Sequence, residues 1–351
     1  MTTDALALTI VGVLYLILFT WAFRVLPQEE WQVMAAIPLQ KLHDGFWTGM
    51  NLTYYGALTA TGVGVAVATV VVLLAALSIP LGLMAILSGL LLLLCIPASA
   101  IVAKAVEQKP NTFTIGGAIF VGMLVAPWTI MLVNVVAGEY WHGNLPVTAT
   151  LAALAIAYAL GEGTGRLACI SFGCCYGKPV SMAPDWLARL FDRYHFAFAG
   201  AMKKVAYDGG LESMPVIPIQ GITSVLLVAT GMAGLSLFLK GRMLEAFLVT
   251  WLAAQSWRAI SEFLRADYRG SGWISVYQML ALLGGLYGAV IALMFTDSYP
   301  SSPNLLNGLK ALWDPAVLLL LQALWVLVFL YTGRSRVTAA RISLRVLKDR
   351  I

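Results

Sequence analysis

The sequence predicts an all-α polytopic membrane protein, and three observations carry that expectation. The 351-residue chain is 60% hydrophobic and only 11% charged, with a mean hydropathy of +0.85, outside the range of soluble globular domains. Its apolar residues fall in long runs, each close to the ~20 residues that carry a helix across a bilayer. Its charge lies between those runs, above all in a C-terminal stretch holding Arg334, Arg336, Arg341, Arg345, Lys348 and Arg350.

The first run, Ala5–Phe23, lacks a basic leader and a small-residue cleavage site, so it reads as a retained helix and not as a signal peptide. Arg24–Asn51 follows, with Glu29, Glu30, His43, Asp44 and two prolines, and reads as an interfacial loop. Trp31, Trp47, Tyr54 and Tyr55 are its aromatic-belt candidates. Further crossings are predicted at Leu52–Leu77, Pro80–Ala103, Phe113–Ala137, Val147–Ile170, Gly221–Leu239, Leu244–Leu264, Trp273–Phe295 and Pro315–Tyr331, nine in all with the first. Between the fifth and sixth runs the hydrophilic stretch Lys178–Ile217 contains Asp185–Tyr194, where Trp186, Leu187, Leu190 and Phe191 have the spacing of a short amphipathic helix. The basic tail accounts for much of the net charge of +5; it suits an anionic lipid surface, and no basic face elsewhere points to nucleic acid.

The densest chemistry lies at residues 161–180, GEGTGRLACISFGCCYGKPV. Arg166 sits at or just inside a helix end, where a lone cation costs ~2.5–3.5 kcal/mol on insertion scales, so it requires a partner, and a substrate anion could be that partner. Gly161, Gly163, Gly165, Gly173 and Gly177 would allow the backbone to leave helical geometry and turn N–H groups toward an anion. Cys95 reads as a small core residue. Cys169, Cys174 and Cys175 lack the paired C-x-x-C spacing of a structural zinc site, so plain packing or a redox-labile thiol cluster is expected, with no metal and no cofactor.

A second cluster, QSWRAISEFLRAD at 255–267, places Arg258, Glu262 and Arg265 at i, i+4 and i+7, on one helix face. Such a stripe is expensive at membrane depth unless it meets a polar cavity. The simpler expectation is an ion pair between Arg258 and Glu262, with Arg265 reaching the interface.

These stretches together resemble the bacterial prolipoprotein diacylglyceryl transferases. Gly165, Arg166, Gly173 and Gly177 fall in register with that family's signature loop, while Ala168, Cys169, Phe172 and Cys174 stand where it has glycine, two asparagines and glutamate. TFTIGGAIFVG at 112–122 resembles a histidine-glycine-glycine region with Thr114 or Ile115 in the histidine's place. Pro218 and Gln220 match a later element whose histidine is here Ile217. The resemblance implies a seven-helix core over residues 52–296, with an added helix and loop at 1–51 and an added helix and basic tail at 297–351. It implies Arg166 and Arg258 as catalytic arginines and Gly165, Gly173, Gly177, Gln220, Arg265 and Gln278 as substrate-binding positions; since His43, His142 and His195 all lie in loops, Glu262, Tyr55 or the substrate phosphate remain as candidate bases. The implied reaction is attack by the cysteine thiol of a prolipoprotein signal peptide on the glycerol carbon of phosphatidylglycerol. Phosphatidylglycerol and that peptide would then be the partners, in a bacterial inner membrane. Two alternatives stand beside this: a paralogue passing a lipid group to another acceptor, and a transporter of an anionic or lipidic solute.

The resemblance also places the signature loop on the periplasmic side. Counting nine crossings then sends the basic tail outside, against the positive-inside rule. That conflict points first to the helix count.

Overall fold

A computed structural model describes residues 3–30, 32–107, 115–267, 274–295 and 302–351. Trp31, the expected helix start at Phe113, Thr112–Thr114 and the stretch 268–273 lie outside them. Among the described residues, eight helices are long and apolar enough to cross a membrane: α1 (Thr3–Val25), α2 (Tyr54–Ala76), α3 (Leu81–Glu107), α4 (Ile115–Ala137), α5 (Val147–Phe172), α8 (Ile219–Leu239), α10 (Val276–Met294) and α12 (Pro315–Thr332). This is the polytopic helical membrane protein that composition predicts. Three shorter helices, α6 (Asp185–Phe191), α7 (Lys204–Tyr207) and α11 (Leu305–Leu312), lie in the connections.

The ninth expected crossing is α9, Met243–Ser261, which ends earlier than its apolar run suggests because Glu262–Leu264 tighten into a 3-10 turn. Glu245, Gln255 and Arg258 lower its hydropathy, so it does not meet the same measure. It nevertheless packs along α5, α8 and α10. Its antiparallel register with α8 is visible in the Trp257 indole, which donates to Thr223 Oγ1 at 3.0 Å.

At the centre stands α5, with 89% of its most apolar window buried, against 11% for α1 and 6% for α12. Small residues make this possible, because they let helix backbones approach closely. A Cβ on Gly62 of α2 would come within 2.7 Å of the Gly161 carbonyl and 2.9 Å of Gly165 Cα. On the opposite flank, Gly163 lies against Val228 and Ser224 of α8, and the Ser224 hydroxyl donates to the Gly163 carbonyl. The outer helices α1 and α12 expose Leu14, Leu16, Ile17, Leu319 and Leu327, the lipid-facing pattern of a bundle's rim.

The segment expected to be an interfacial loop is folded. Val33–Lys41 (β1) and Trp47–Thr53 (β2) form a hairpin whose turn uses Gly45 at φ 83°. Pro38, which cannot donate to a ladder, sits on the edge strand β1 at a register shift. Leu52 and Thr53 therefore belong to β2, and α2 begins two residues later than its apolar run.

The basic tail supplies the third strand, β3 (Arg334–Ile342), antiparallel to β2, with Trp47 opposite Ile342 and Thr48 opposite Arg341. Arg341 pairs with Asp44 and lies over the Phe46 ring, 4.1 Å from its centroid. The tail thus stands at the same end of the bundle as the residue 161–180 stretch, since Tyr55 at the start of α2 packs on Phe172 at the end of α5. Among the described residues the helix ends alternate between the two ends of the bundle, α9 included, so the tail and the residue 161–180 stretch share one end.

The hydrophilic stretch caps the same end. Within it, α6 forms where amphipathic spacing predicts it, burying Leu187 and Phe191 against Val180 and Ile217 and exposing Trp186 and Leu190. Lys203, with no exposed surface, donates to the carbonyl of Leu26 at 3.0 Å and to that of Ser171 at 2.7 Å. It thereby caps the C-terminal ends of α1 and α5 at once, where helix dipoles favour a cation.

Candidate functional site

The glycine-rich stretch does not open into a nest of N–H groups. Gly161, Gly163 and Gly165 remain within α5, where Gly161 and Gly163 serve close packing, and the helix continues to Phe172. What ends it is Gly173, at φ 68° and ψ 24°. The Gly173 N–H donates to the Ile170 carbonyl and the Cys174 N–H to the Cys169 carbonyl, at 3.2 and 3.1 Å. This is the paired bonding of a Schellman cap. Gly177 is required for another reason: a Cβ there would collide with the Ile217 carbonyl. Its strand-like segment bridges to Arg265.

Arg166 has its partner within the protein. Its guanidinium donates to Glu162 one turn earlier on α5. The same carboxylate accepts from Arg258 Nη1 at 3.0 and 3.2 Å. The side chains are 3% (Glu162), 11% (Arg166) and 14% (Arg258) exposed, so one buried carboxylate carries two guanidiniums. Buried charges need such pairing, because leaving one unpaired costs several kcal/mol. The expected Arg258–Glu262 pair is not formed. Glu262 instead accepts from Arg265 Nη1 at 3.4 Å and from the Ser275 hydroxyl at 3.3 Å. Arg265 also makes a two-point contact with Asp267, at 2.8 and 2.6 Å. Burial opposes the charge on Arg265, but Cys175, Asp267 and Glu262 outweigh it and raise its pKa well above the usual arginine value.

A small, partly open cleft, with about 10 Å3 of free volume, lies between these groups, lined by Arg166, Cys175, Gln220, Thr223, Ser261 and Arg265 among others. Two buried polar atoms on its walls, Arg166 Nε and Gln220 Oε1, have no hydrogen-bond partner in the protein. The Gln220 amide nitrogen is fixed by donating to the Cys174 carbonyl at 2.9 Å. A guanidinium with an unused donor and a second arginine across the cleft are groups of the kind that bind anions, although the free volume as it stands is that of about one water.

The expected site residues thus separate into groups. Arg166, Arg265 and Gln220 line the cleft. Arg258 stands behind Arg166 and reaches the cleft only through Glu162. Tyr55 is half-buried on Phe172, within electrostatic range of Arg166 and the thiols. Gly165 lies beside open space on α5, and Gly173 and Gly177 shape the turn below. Gln278 is structural: it completes a capping box with Ser275 at the start of α10 and donates to the Ala259 carbonyl at 3.1 Å.

Glu162, the hub of the arrangement, is absent from the residues that sequence reasoning selects. The i, i+4 spacing of Glu162 and Arg166 was the available signal. Cys169, Cys174 and Cys175, expected to lack metal-site spacing, bring their sulfurs within 4.8 Å of one another. Hydrogen bonds from Cys169 and Cys174, and then the Arg265 and Arg166 guanidiniums, hold the Cys175 thiol well below its usual range against the effect of burial.

Comparison with known protein families and with characterised sequences finds no match to this chain. What the fold and the cleft define is a class, a polytopic helical membrane protein with an arginine-lined cleft at the end of its central helix.

Proposed function

We propose that the protein is a membrane-embedded transferase that acts at the phosphate of a lipid headgroup, taking a diacylglyceryl group from phosphatidylglycerol to a thiol. The observation that carries this reading is that Arg166 and Arg265 line one cleft, with Arg166 oriented from behind by Glu162 and Arg258. Such a pair can bind a phosphodiester and neutralise the departing phosphate, the largest electrostatic demand of the transfer. The signature-loop resemblance supplies the donor and names a prolipoprotein cysteine as the acceptor, in a bacterial inner membrane. The nucleophile arrives with that acceptor. Glu262, committed to Arg265 and Ser275, is poorly placed as its base, which leaves Tyr55 or the substrate phosphate.

The charge distribution favours a second reading of the acceptor. Among the described lysines and arginines of the connections, Lys240, Arg242 and Lys310 lie at the far end of the bundle, whereas Lys178, Arg189, Arg193, Lys203, Lys204 and the whole basic tail lie at the cleft's end. The positive-inside rule assigns that end to the cytoplasm, and a cytoplasmic thiol or hydroxyl would then replace the exported peptide.

Proteoliposomes containing phosphatidylglycerol with a labelled diacylglyceryl group test both readings, with a cysteine-bearing signal peptide or a soluble cytoplasmic fraction as acceptor. Transfer to the peptide, lost by at least ~10²-fold in Arg166→Ala and poorly restored in Arg166→Lys, supports the first reading. Transfer to the soluble fraction alone supports the second. Labelled lipid that is moved across the bilayer but never transferred overturns both in favour of transport.

A further inference from the structure

The three thiols beside the cleft are not needed by a transferase whose nucleophile comes with the substrate, yet the backbone is arranged to collect them. In a Schellman cap the residue four positions before the left-handed glycine and the residue just after it are brought side by side, a contact usually made by two apolar side chains. Here those positions are Cys169 and Cys174, joined through the Cys174 N–H and the Cys169 carbonyl. Cys175 then adopts φ 55°, a left-handed conformation that a non-glycine residue seldom takes, and its sulfur joins the other two. All three sulfurs lie within 4.8 Å of one another. A metal held by three thiolates at ~2.3 Å sets its sulfurs roughly 4 Å apart, a spacing close to the one observed.

We propose that Cys169, Cys174 and Cys175 form a three-coordinate site for a single soft monovalent cation, copper(I). Sulfur-only ligands select soft ions. Zinc requires a fourth ligand in a structural site, and among the described residues no histidine or carboxylate joins the group. The nearby carboxylates are committed elsewhere, Glu162 to Arg166 and Arg258, and Glu262 and Asp267 to Arg265. On binding, three thiols release three protons to water and the Cu+ ion takes their place. No electron is transferred, because copper enters already reduced. The site is independent of the transfer reaction, although Cys175 is shared with the cleft wall.

The test uses the full chain in detergent, kept anaerobic and reduced. Cu(I) is supplied as its acetonitrile complex and competed with bicinchoninate. The expected result is one ion retained per chain, with an X-ray absorption spectrum showing a shell of three sulfurs and no nitrogen or oxygen; this arm needs no variant. Cys169→Ser, Cys174→Ser and Cys175→Ser should each weaken retention at least about tenfold, in protein whose metal-free melting matches the parent. Cys95→Ser, in α3, should leave it unchanged. The proposal is overturned if no copper survives competition, if nitrogen or oxygen completes the shell, if zinc displaces copper at equal concentration, or if Cys95→Ser weakens retention as much as the others.

Discussion

Glu162 on α5 accepts from Arg258 on α9 at 3.0 Å, although 96 residues separate them in the chain. With Arg166 bound to the same carboxylate, the two helices are joined by one buried anion between two cations. Removing that anion leaves both guanidiniums without compensation. Glu162→Gln should therefore destabilise the protein by about 3–5 kcal/mol, the usual cost of breaking a buried pair from one side. Adding Arg258→Met to Glu162→Gln should cost much less than Arg258→Met alone, since coupled partners are not additive. Denaturation of the single and double variants in micelles measures the coupling, and simple additivity would mean that the contact carries no energy.

Close packing around α5 makes a second expectation quantitative. Gly62→Ala places a methyl 2.7 Å from a backbone carbonyl, which no rotamer can relieve, and overpacking of this kind costs about 1–3 kcal/mol. Gly89 in α3 has nothing within 4 Å of its added Cβ. Gly89→Ala should be neutral or slightly stabilising, by up to ~1 kcal/mol, because alanine suits a helix interior better than glycine. Thermal melting of the two variants gives opposite signs on this account.

Lys203 yields a dependence on pH. Burial lowers its pKa from 10.5 to about 8, with Glu29 opposing. Between those two values the unfolded chain holds a proton that the folded chain has released, so stability rises with pH across the window. It falls again as the pH drops through about 8, below which both states are protonated and the penalty is constant. The unfolding free energy of the wild type minus that of Lys203→Met should increase from pH 8 to pH 10.5; a flat difference would show that Lys203 keeps its ordinary pKa.

The sidedness of the tail can be measured directly. Single cysteines at Ser213 and Lys348, introduced into protein whose four native cysteines are replaced by serine, should react with an impermeant maleimide from one face of a sealed vesicle. Those at Lys240 and Lys310 should react from the other. Labelling of Lys348 together with Lys240 would contradict the pairing of β3 with β2.

Much of the helical framework was legible because apolar length is a local property, readable from each run by itself. The runs around Ala5, Gly221 and Pro315 give helices within a few residues of their expected ends. The sheet was not legible. β3 is RSRVTAARI, and its charges read as a solvated tail, while its role depends on a hairpin nearly the whole chain away. The site was legible only in part. Arg166 and Arg265 stand out as cations near apolar runs, but choosing Glu162 over Glu262 as the partner of Arg258 requires knowing that α5 lies beside α9. The glycines misled for a related reason: a residue that permits turns also permits close contact between helices, and only the neighbours decide which.

The pairing of β3 with β2 joins parts of the chain that are made far apart in time. Asp44, in the hairpin turn, pairs with Arg341 of β3, 297 residues away in the chain. During synthesis the hairpin leaves the ribosome with the edge of β2 unpaired, an open template for any other extended segment, and it stays so while every candidate membrane span after the first is being made. Arrival of residues 334–342, and not insertion of the final helix, is the event that closes that edge.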